Sequence, residues 1–129
     1  MIENLSREQL EGILEAIPVE ISFVDEHDSV KFWNKHDTRI FKRPHSVIGK
    51  SVQDCHPRDS VYKVNELLTD FKTANRDSAE FWIDLRGRKV YIRYFAVRDK
   101  AGKYLGTLEA TQDITEIKEI GGEKRLLEY

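Results

Sequence analysis

The sequence predicts an α+β domain: a five-stranded antiparallel sheet with helices packed on one face and a further helix at the N-terminal flank. Three observations lead there. Hydrophobic periodicity runs helical, alternating, helical and alternating again along the chain. The strand-like runs fall into two groups separated by a helical block, an order that favours an antiparallel sheet. The length of 129 residues, 40% of them hydrophobic, is that of one domain with one core.

The elements follow in chain order. Ser6 to Ile17 reads as a helix, with Ser6 and Gln9 at capping-box spacing and Leu5 and Leu10 at the staple positions. Leu10, Ile13, Leu14 and Ile17 share one face, and Pro18 ends the run. Glu20–Asp25 (EISFVD) and Val30–Trp33 (VKFW) are β-branched and aromatic strands, joined into a hairpin by EHDS. From Asn34 to Ile48 the pattern supports one or two short helical turns, broken at Pro44 and Gly49. A second long helix follows Pro57, with Val61, Val64, Leu68 and Phe71 as its stripe and Leu67 at the edge. Pro57 suits a first helical position, and Asp59 complements the dipole.

Three strands come next: 79–85, Arg88–Arg98 and 104–112, turning at RGR and DKAG. The segment DITEIKEI reads as a final helix, capped by Asp113 with Glu116 three residues on and striped by Ile114, Ile117 and Ile120. Gly121-Gly122 interrupts it. The first hairpin has to pair with the last three strands to satisfy its backbone groups. The chain divides into a flanking helix (1–18), a core (19–113) and a C-terminal helix and tail (114–129).

Composition narrows the function classes. With 21 basic and 23 acidic residues interspersed, there is no basic stripe, so nucleic acid is not an expected partner. No apolar run approaches the ~20 residues of a membrane span. The N-terminus MIENLSREQLEG lacks the regions of a signal peptide, and one cysteine forms no internal disulfide, which points to a reducing cytoplasm.

The marks Asp25 and Asn34 around the first hairpin, IGKS at Ile48–Ser51 and VRDKAGKYLGTLEATQDITE from Val97 to Glu116 resemble, in that order, the PAS domain. The likeness spans about residues 10–120. More narrowly, RIFKRPHSVIGKSVQDCHP, AEFWI, YIRYFAVRD and GEKRLLEY resemble the C-terminal PAS module of uncharacterised bacterial and archaeal proteins, which often follows a hemerythrin-like domain. No hemerythrin-like segment is present, which leaves a separate short protein or an excised fragment. The resemblance implies a cytoplasmic sensor and interaction fold whose sheet and helices enclose a pocket, which in various members holds haem, flavin or small metabolites.

It also implies which residues face that pocket. Positions two, four and six before Asp113 point inward in the PAS arrangement, namely Thr111, Glu109 and Thr107. A carboxylate turned toward a core needs a partner or water. Glu109 therefore meets a cation or hydrogen-bond donor or shares its cavity with a polar ligand; in a shifted register it faces solvent. Phe23, Trp33, Phe41, Trp82 and Tyr94 supply aromatic walls, or plain core packing. Val64 and Leu68 from the long helix and Ile92 from the sheet complete the set. Arg39 is either an anion partner or a surface residue. On 88–98 both faces are largely apolar: Val90, Ile92, Tyr94 and Ala96 meet the long helix, while Tyr91, Arg93, Phe95 and Val97 meet the first helix or a second subunit.

The cofactor patterns of PAS relatives match poorly. Flavin-binding members place a cysteine three residues after the glycine before the long helix; here that position is Val52. Haem-binding members carry a histidine ligand in the long helix, and 58–75 contains none. Cys55 and His56 stand at a helix start, where a thiol is activated and a histidine can bind metal. The simpler account is a small buried cysteine and a turn. Glu80, Asp84 and Glu109 form no fixed acid pair, and there is no nucleophile triad or phosphate loop, so catalysis is not expected. The expected function is a non-catalytic sensory, ligand-binding and interaction domain, partnered by a small molecule and by a second copy or another signalling domain. Its alternatives are a ligand-free homodimerisation module and a haem or redox sensor through His56 and Cys55.

Overall fold

Ser6 opens the first helix through both halves of a capping box. Its Oγ accepts from Gln9 N at 3.0 Å, and Gln9 Oε1 accepts from Ser6 N at 2.9 Å. That helix is α1, Arg7–Ala16. The computed structural model describes residues 1–128; Tyr129, the last residue of the expected tail, lies outside them. The sheet comprises β1 (Glu20–Asp25), β2 (Val30–Trp33), β3 (Ser78–Leu85), β4 (Arg88–Arg98) and β5 (Tyr104–Asp113). All pairs are antiparallel, in the order β2-β1-β5-β4-β3. The first hairpin thus joins the three-stranded meander through β1 and β5. Between the two groups lie short 3₁₀ turns at His45–Val47, Val52–Cys55 and Arg58–Ser60, then α2, Val61–Lys72.

The two polar marks of the first hairpin have structural reasons. Asp25 Oδ1 accepts from His27 N and Ser29 N at 2.9 and 3.0 Å, closing the EHDS turn. Asn34 is fully buried; its Oδ1 accepts from Ile21 N at 2.7 Å, while Nδ2 donates to Leu14 O and Val19 O. One side chain thereby ties the end of α1 to β1 and β2.

The core gathers Val30, Trp33, Val52 and Leu68, with Val24, Val47, Cys55 and Val64 packed around it. Leu68 and Phe71 are the fully buried part of the α2 stripe. The 3₁₀ turn after Pro57 leads directly into α2, a common way to enter a helix. Gly106, at φ +155°, lets two strands close: a Cβ there would stand 2.2 Å from Val24 O and 2.5 Å from the Phe23 ring.

Two expectations need correction. DITEIKEI does not form a helix; only Ile117–Glu119 makes a single 3₁₀ turn, and Ile117 and Ile120 are exposed. Asp113 is engaged instead at the end of β5, accepting from Thr115 N at 3.0 Å and pairing with Arg88 at 2.6 Å. Of the three isoleucines only Ile114 is part-buried, beside Trp82 and Tyr91, and one such contact cannot offset the ordering of a helix this short. The other correction concerns α1, which buries none of its residues and leaves Trp82 on the outer sheet face 60% exposed. It is held at the β2 end by Asn34 and by Glu15, whose carboxylate accepts from Lys35 N at 3.1 Å.

Candidate functional site

Strand register sets which side chains meet on the inner face. Ser22 of β1 lies opposite Glu109 of β5, which lies opposite Tyr94 of β4, which lies opposite Ala79 of β3. This row crosses the sheet, flanked on one side by Val24–Thr107–Ala96 and on the other by Glu20–Thr111–Ile92–Phe81. Above it α2 presents Lys63, Val64, Leu67 and Leu68, which helical spacing brings to one side. Val52, His56 and Ser60 from the 3₁₀ turns and Arg43 from the irregular segment complete the rim. Together they enclose a partly open cavity of about 570 Å³, lined mainly by apolar side chains and within the range of small-molecule sites.

The polar part of the wall is concentrated. Arg43 Nη2 donates to Glu109 Oε2 at 3.4 Å, with both side chains mostly buried. Thr111 Oγ1 donates to Glu109 Oε1 at 3.2 Å from behind. Arg43 Nε is buried and has no hydrogen-bond partner. Burial, reinforced by the nearby Glu109 charge, pushes the Tyr94 phenol well above its ordinary pKa, so it stands neutral beside the pair. Register thus turns Glu109 inward, toward a cation.

Arg39 is neither that cation nor a surface residue. It is 4% exposed and donates to Phe41 O at 2.9 Å, Asn34 O at 2.9 Å, Ile21 O at 3.1 Å and Ser22 Oγ at 3.0 Å. Its ionic partner is the buried Glu20, at 3.8 Å, whose carboxylate also accepts from Ile40 N and Phe41 N. Burial lowers the pKa of Arg39, and Glu20 opposes that shift.

Of the residues singled out from the sequence, Val64, Leu68, Tyr94, Thr107 and Glu109 line the cavity. Thr111 stands one hydrogen bond behind it, and Ile92 is buried in the adjoining row. Trp33 belongs to the neighbouring core, its ring against those of His36 and His45. Phe41 contributes its backbone to the Arg39–Glu20 network and does not line the cavity. Phe23, opposite Leu108 and Phe32, and Trp82, opposite Tyr91, lie on the other sheet face, because pairing by alternation assigns them there. Arg43, Ser22 and Phe81 line the cavity without having been singled out. Arg43 sits in a segment with no periodicity, so only its charge within RIFKRPH was available as a signal.

Cys55 is part-buried, its Sγ 3.6 Å from Ser51 O, and does not line the cavity. A flavin–thiol adduct does not fit that position. His56 does reach the rim, with Nδ1 2.9 Å from Val52 O. Among the described residues no three His, Cys, Asp or Glu side chains are grouped to hold a metal ion, and no helix is long and apolar enough to cross a membrane.

Comparison with known proteins agrees with this geometry. Residues 10–115 match the family model described as PAS domain. The structure of a C-terminal domain from Streptococcus mutans is similar at 36% identity, with 91% of each chain covered and a TM-score of 0.85. The PAS domain of BvgS from Bordetella pertussis aligns at 22% identity, covering 87% of this chain and 88% of that one, with a TM-score of 0.63. A sensory box sensor histidine kinase from Vibrio cholerae shares the fold at 13% identity, with 84% and 91% covered and a TM-score of 0.57. No curated protein matches the chain.

Proposed function

The chain belongs to the PAS domain family, and on that premise we propose that it is a sensory domain that binds a small molecule between α2 and the sheet. The family is a sensory fold rather than an enzymatic one. The observation that carries the proposal is the cavity of about 570 Å³, apolar over most of its wall but holding Arg43 and Glu109 in its lining. A cavity meant only to be filled would have no use for a half-satisfied ion pair, since buried polar groups are ordinarily fully bonded.

The signal is a shift between arrangements. A ligand moves that equilibrium only by its differential affinity for the two. Residues on α2 and β5 form opposite walls of the cavity, so occupancy acts on their separation. From β5 the change reaches the chain end through Asp113, which Arg88 ties to β4. Output passes to a second copy or another signalling domain. The relative from Streptococcus mutans is itself a C-terminal domain, which supports the narrower likeness to modules that follow another domain.

Native mass spectrometry of protein purified from cells tests the reading. A bound mass that is lost on denaturation supports it. A clean apo spectrum, together with no thermal shift across a metabolite extract, counts against it; a ligand at a hundredfold excess over Kd should add about 2.7 kcal/mol of stability. A second reading, the ligand-free homodimer, draws support from the outer face, where Trp82, Tyr91, Arg93 and Phe95 lie together. Light scattering after size exclusion decides it, since a monomer at micromolar concentration removes it. The haem or redox alternative rests on His56 alone and predicts a coloured protein after haem addition.

A further inference from the structure

We propose that β3 is a dimerisation edge: it pairs antiparallel with β3 of a second copy, across a two-fold axis at Phe81, and continues the sheet from one protomer into its partner. The two edges of the sheet carry the argument, because the fold treats them differently. β2 is short, Val30–Trp33, its register with β1 shifts at Phe23/Val24, and its open side is covered. Val30 N donates to Lys50 O at 2.9 Å, Gly49 N donates to Val30 O at 2.8 Å, and Ser29 bridges to Ser51. β3 has none of these devices. Its register with β4 runs from Ser78 to Leu85 without a shift, and among the described residues no backbone group of the strand bonds to anything beyond β4. Proline is absent from SAEFWIDL, and Phe81 and Trp82 at its centre are 44% and 60% exposed. A long, regular, apolar edge left bare is a template for another strand.

Charge does not guard this edge, and it selects the register. The acids of β3 are answered from β4: Asp84 pairs with Lys89 at 2.5 Å, and Glu80, opposite Arg93, accepts from Tyr91 Oη. They therefore do little to repel a second strand. In a two-fold antiparallel ladder, residues sharing a face stand opposite one another. Two registers use nearly the whole strand. With the axis at Trp82, Glu80 meets the partner's Asp84, a like-charge pair made twice. With the axis at Phe81, Glu80 meets the partner's Trp82, Asp84 meets the partner's Ser78, Ala79 meets the partner's Ile83, and the two Phe81 rings adjoin. The second arrangement sets apolar side chains together with no acid opposite another, which is the match that favours a second copy over an unrelated extended peptide. Ala79 and Phe81 belong to the cavity wall, so the partner's Ile83 and the partner's Phe81 close its open lip. The pairing itself does not depend on a bound ligand.

Analytical ultracentrifugation of the full chain over a dilution series tests the proposal, with hydrogen exchange of the β3 amides locating the contact. The wild type dimerises, and its β3 amides exchange more slowly as concentration rises. Phe81→Lys sets two ammonium groups against each other on the axis and weakens the dimer at least about tenfold. Trp82→Lys turns each lysine toward the partner's Glu80 and leaves the dimer within about threefold of the wild type, or tighter. In a Cys55→Ser background, Phe81→Cys cross-links under mild oxidation and Asp84→Cys does not, which keeps the register testable should a lysine variant misfold. A monomer at NMR concentration overturns the proposal. So does a dimer that Phe81→Lys leaves intact, or one that Trp82→Lys dissolves, the result expected of association through the outer sheet face. Cross-linking through Asp84→Cys in place of Phe81→Cys overturns it as well.

Discussion

Arg39 and Arg43 lie four residues apart in one irregular segment, yet they end in opposite conditions. Arg39 is enclosed, with each of its nitrogens donating to a backbone carbonyl or to Ser22 and with Glu20 as counter-charge. Arg43 hangs in the cavity wall with one long bond and an orphaned Nε. The difference separates a group that builds the fold from one available for recognition. Buried donors are worth most to stability when every bond is made, and leaving one unmade costs its desolvation.

The largest expected effect lies on the closed side. Arg39→Met leaves Glu20 buried without its counter-charge and strips three carbonyls of their donor, so the urea midpoint should fall by the equivalent of about 3–5 kcal/mol. The contrast sharpens with Arg39→Met combined with Glu20→Leu. An isolated buried pair replaced by apolar groups often regains its loss; here the double variant should not, because Ile40 N and Phe41 N lose Glu20 as well. Full recovery would show the network to be a simple ion pair.

Asn34→Ala comes next. It frees Ile21 N, Leu14 O and Val19 O at a fully buried position and should cost about 3 kcal/mol. Limited proteolysis should then release the segment before Val19 faster than it cleaves the sheet. Arg43→Met is expected to cost less, about 1–2 kcal/mol, since it breaks one long contact at the wall of a partly open cavity. A loss as large as that of Arg39→Met would erase the distinction drawn between the two arginines.

The smallest effect is electrostatic and lies at the surface. The Arg88 guanidinium, helped by Thr115, holds Asp113 down at a pKa of about 2. A carboxylate depressed in the folded state contributes stability above its unfolded pKa near 4 and loses it as pH falls toward 2. Thermal denaturation between pH 4 and 2 should therefore show a slope that Asp113→Asn reduces. An unchanged slope would mean that the bond between Arg88 and Asp113 is not made in solution.

The strands of the sheet were readable because each announces itself within a few residues. EISFVD and VKFW alternate between turn residues, and their bounds agree with the structure. The capping box at Ser6 is equally local. DITEIKEI failed by the same logic: its stripe is a valid local pattern, but Ile117 and Ile120 find no apolar surface to cover. Alternation along β5 put Thr107, Glu109 and Thr111 on one face, as the register does, and the first two line the cavity, whereas Phe23 and Trp82 were included for being aromatic, and register puts them on the far side.

Periodicity and turn chemistry, acting over a few neighbouring residues, determined the five strands, the two α-helices and the α+β class from the sequence alone, while the PAS likeness rested on motifs matched from Asp25 to Glu116. Tertiary structure alone decided which arginine meets Glu109. That outcome depends on how an aperiodic loop crosses the sheet to meet a residue 66 positions away in the chain. Hydrophobic pattern constrains faces, but the partner of a buried charge is chosen by three-dimensional proximity, and no local signal in RIFKRPH distinguishes the residue that closes the core from the one that opens on the cavity.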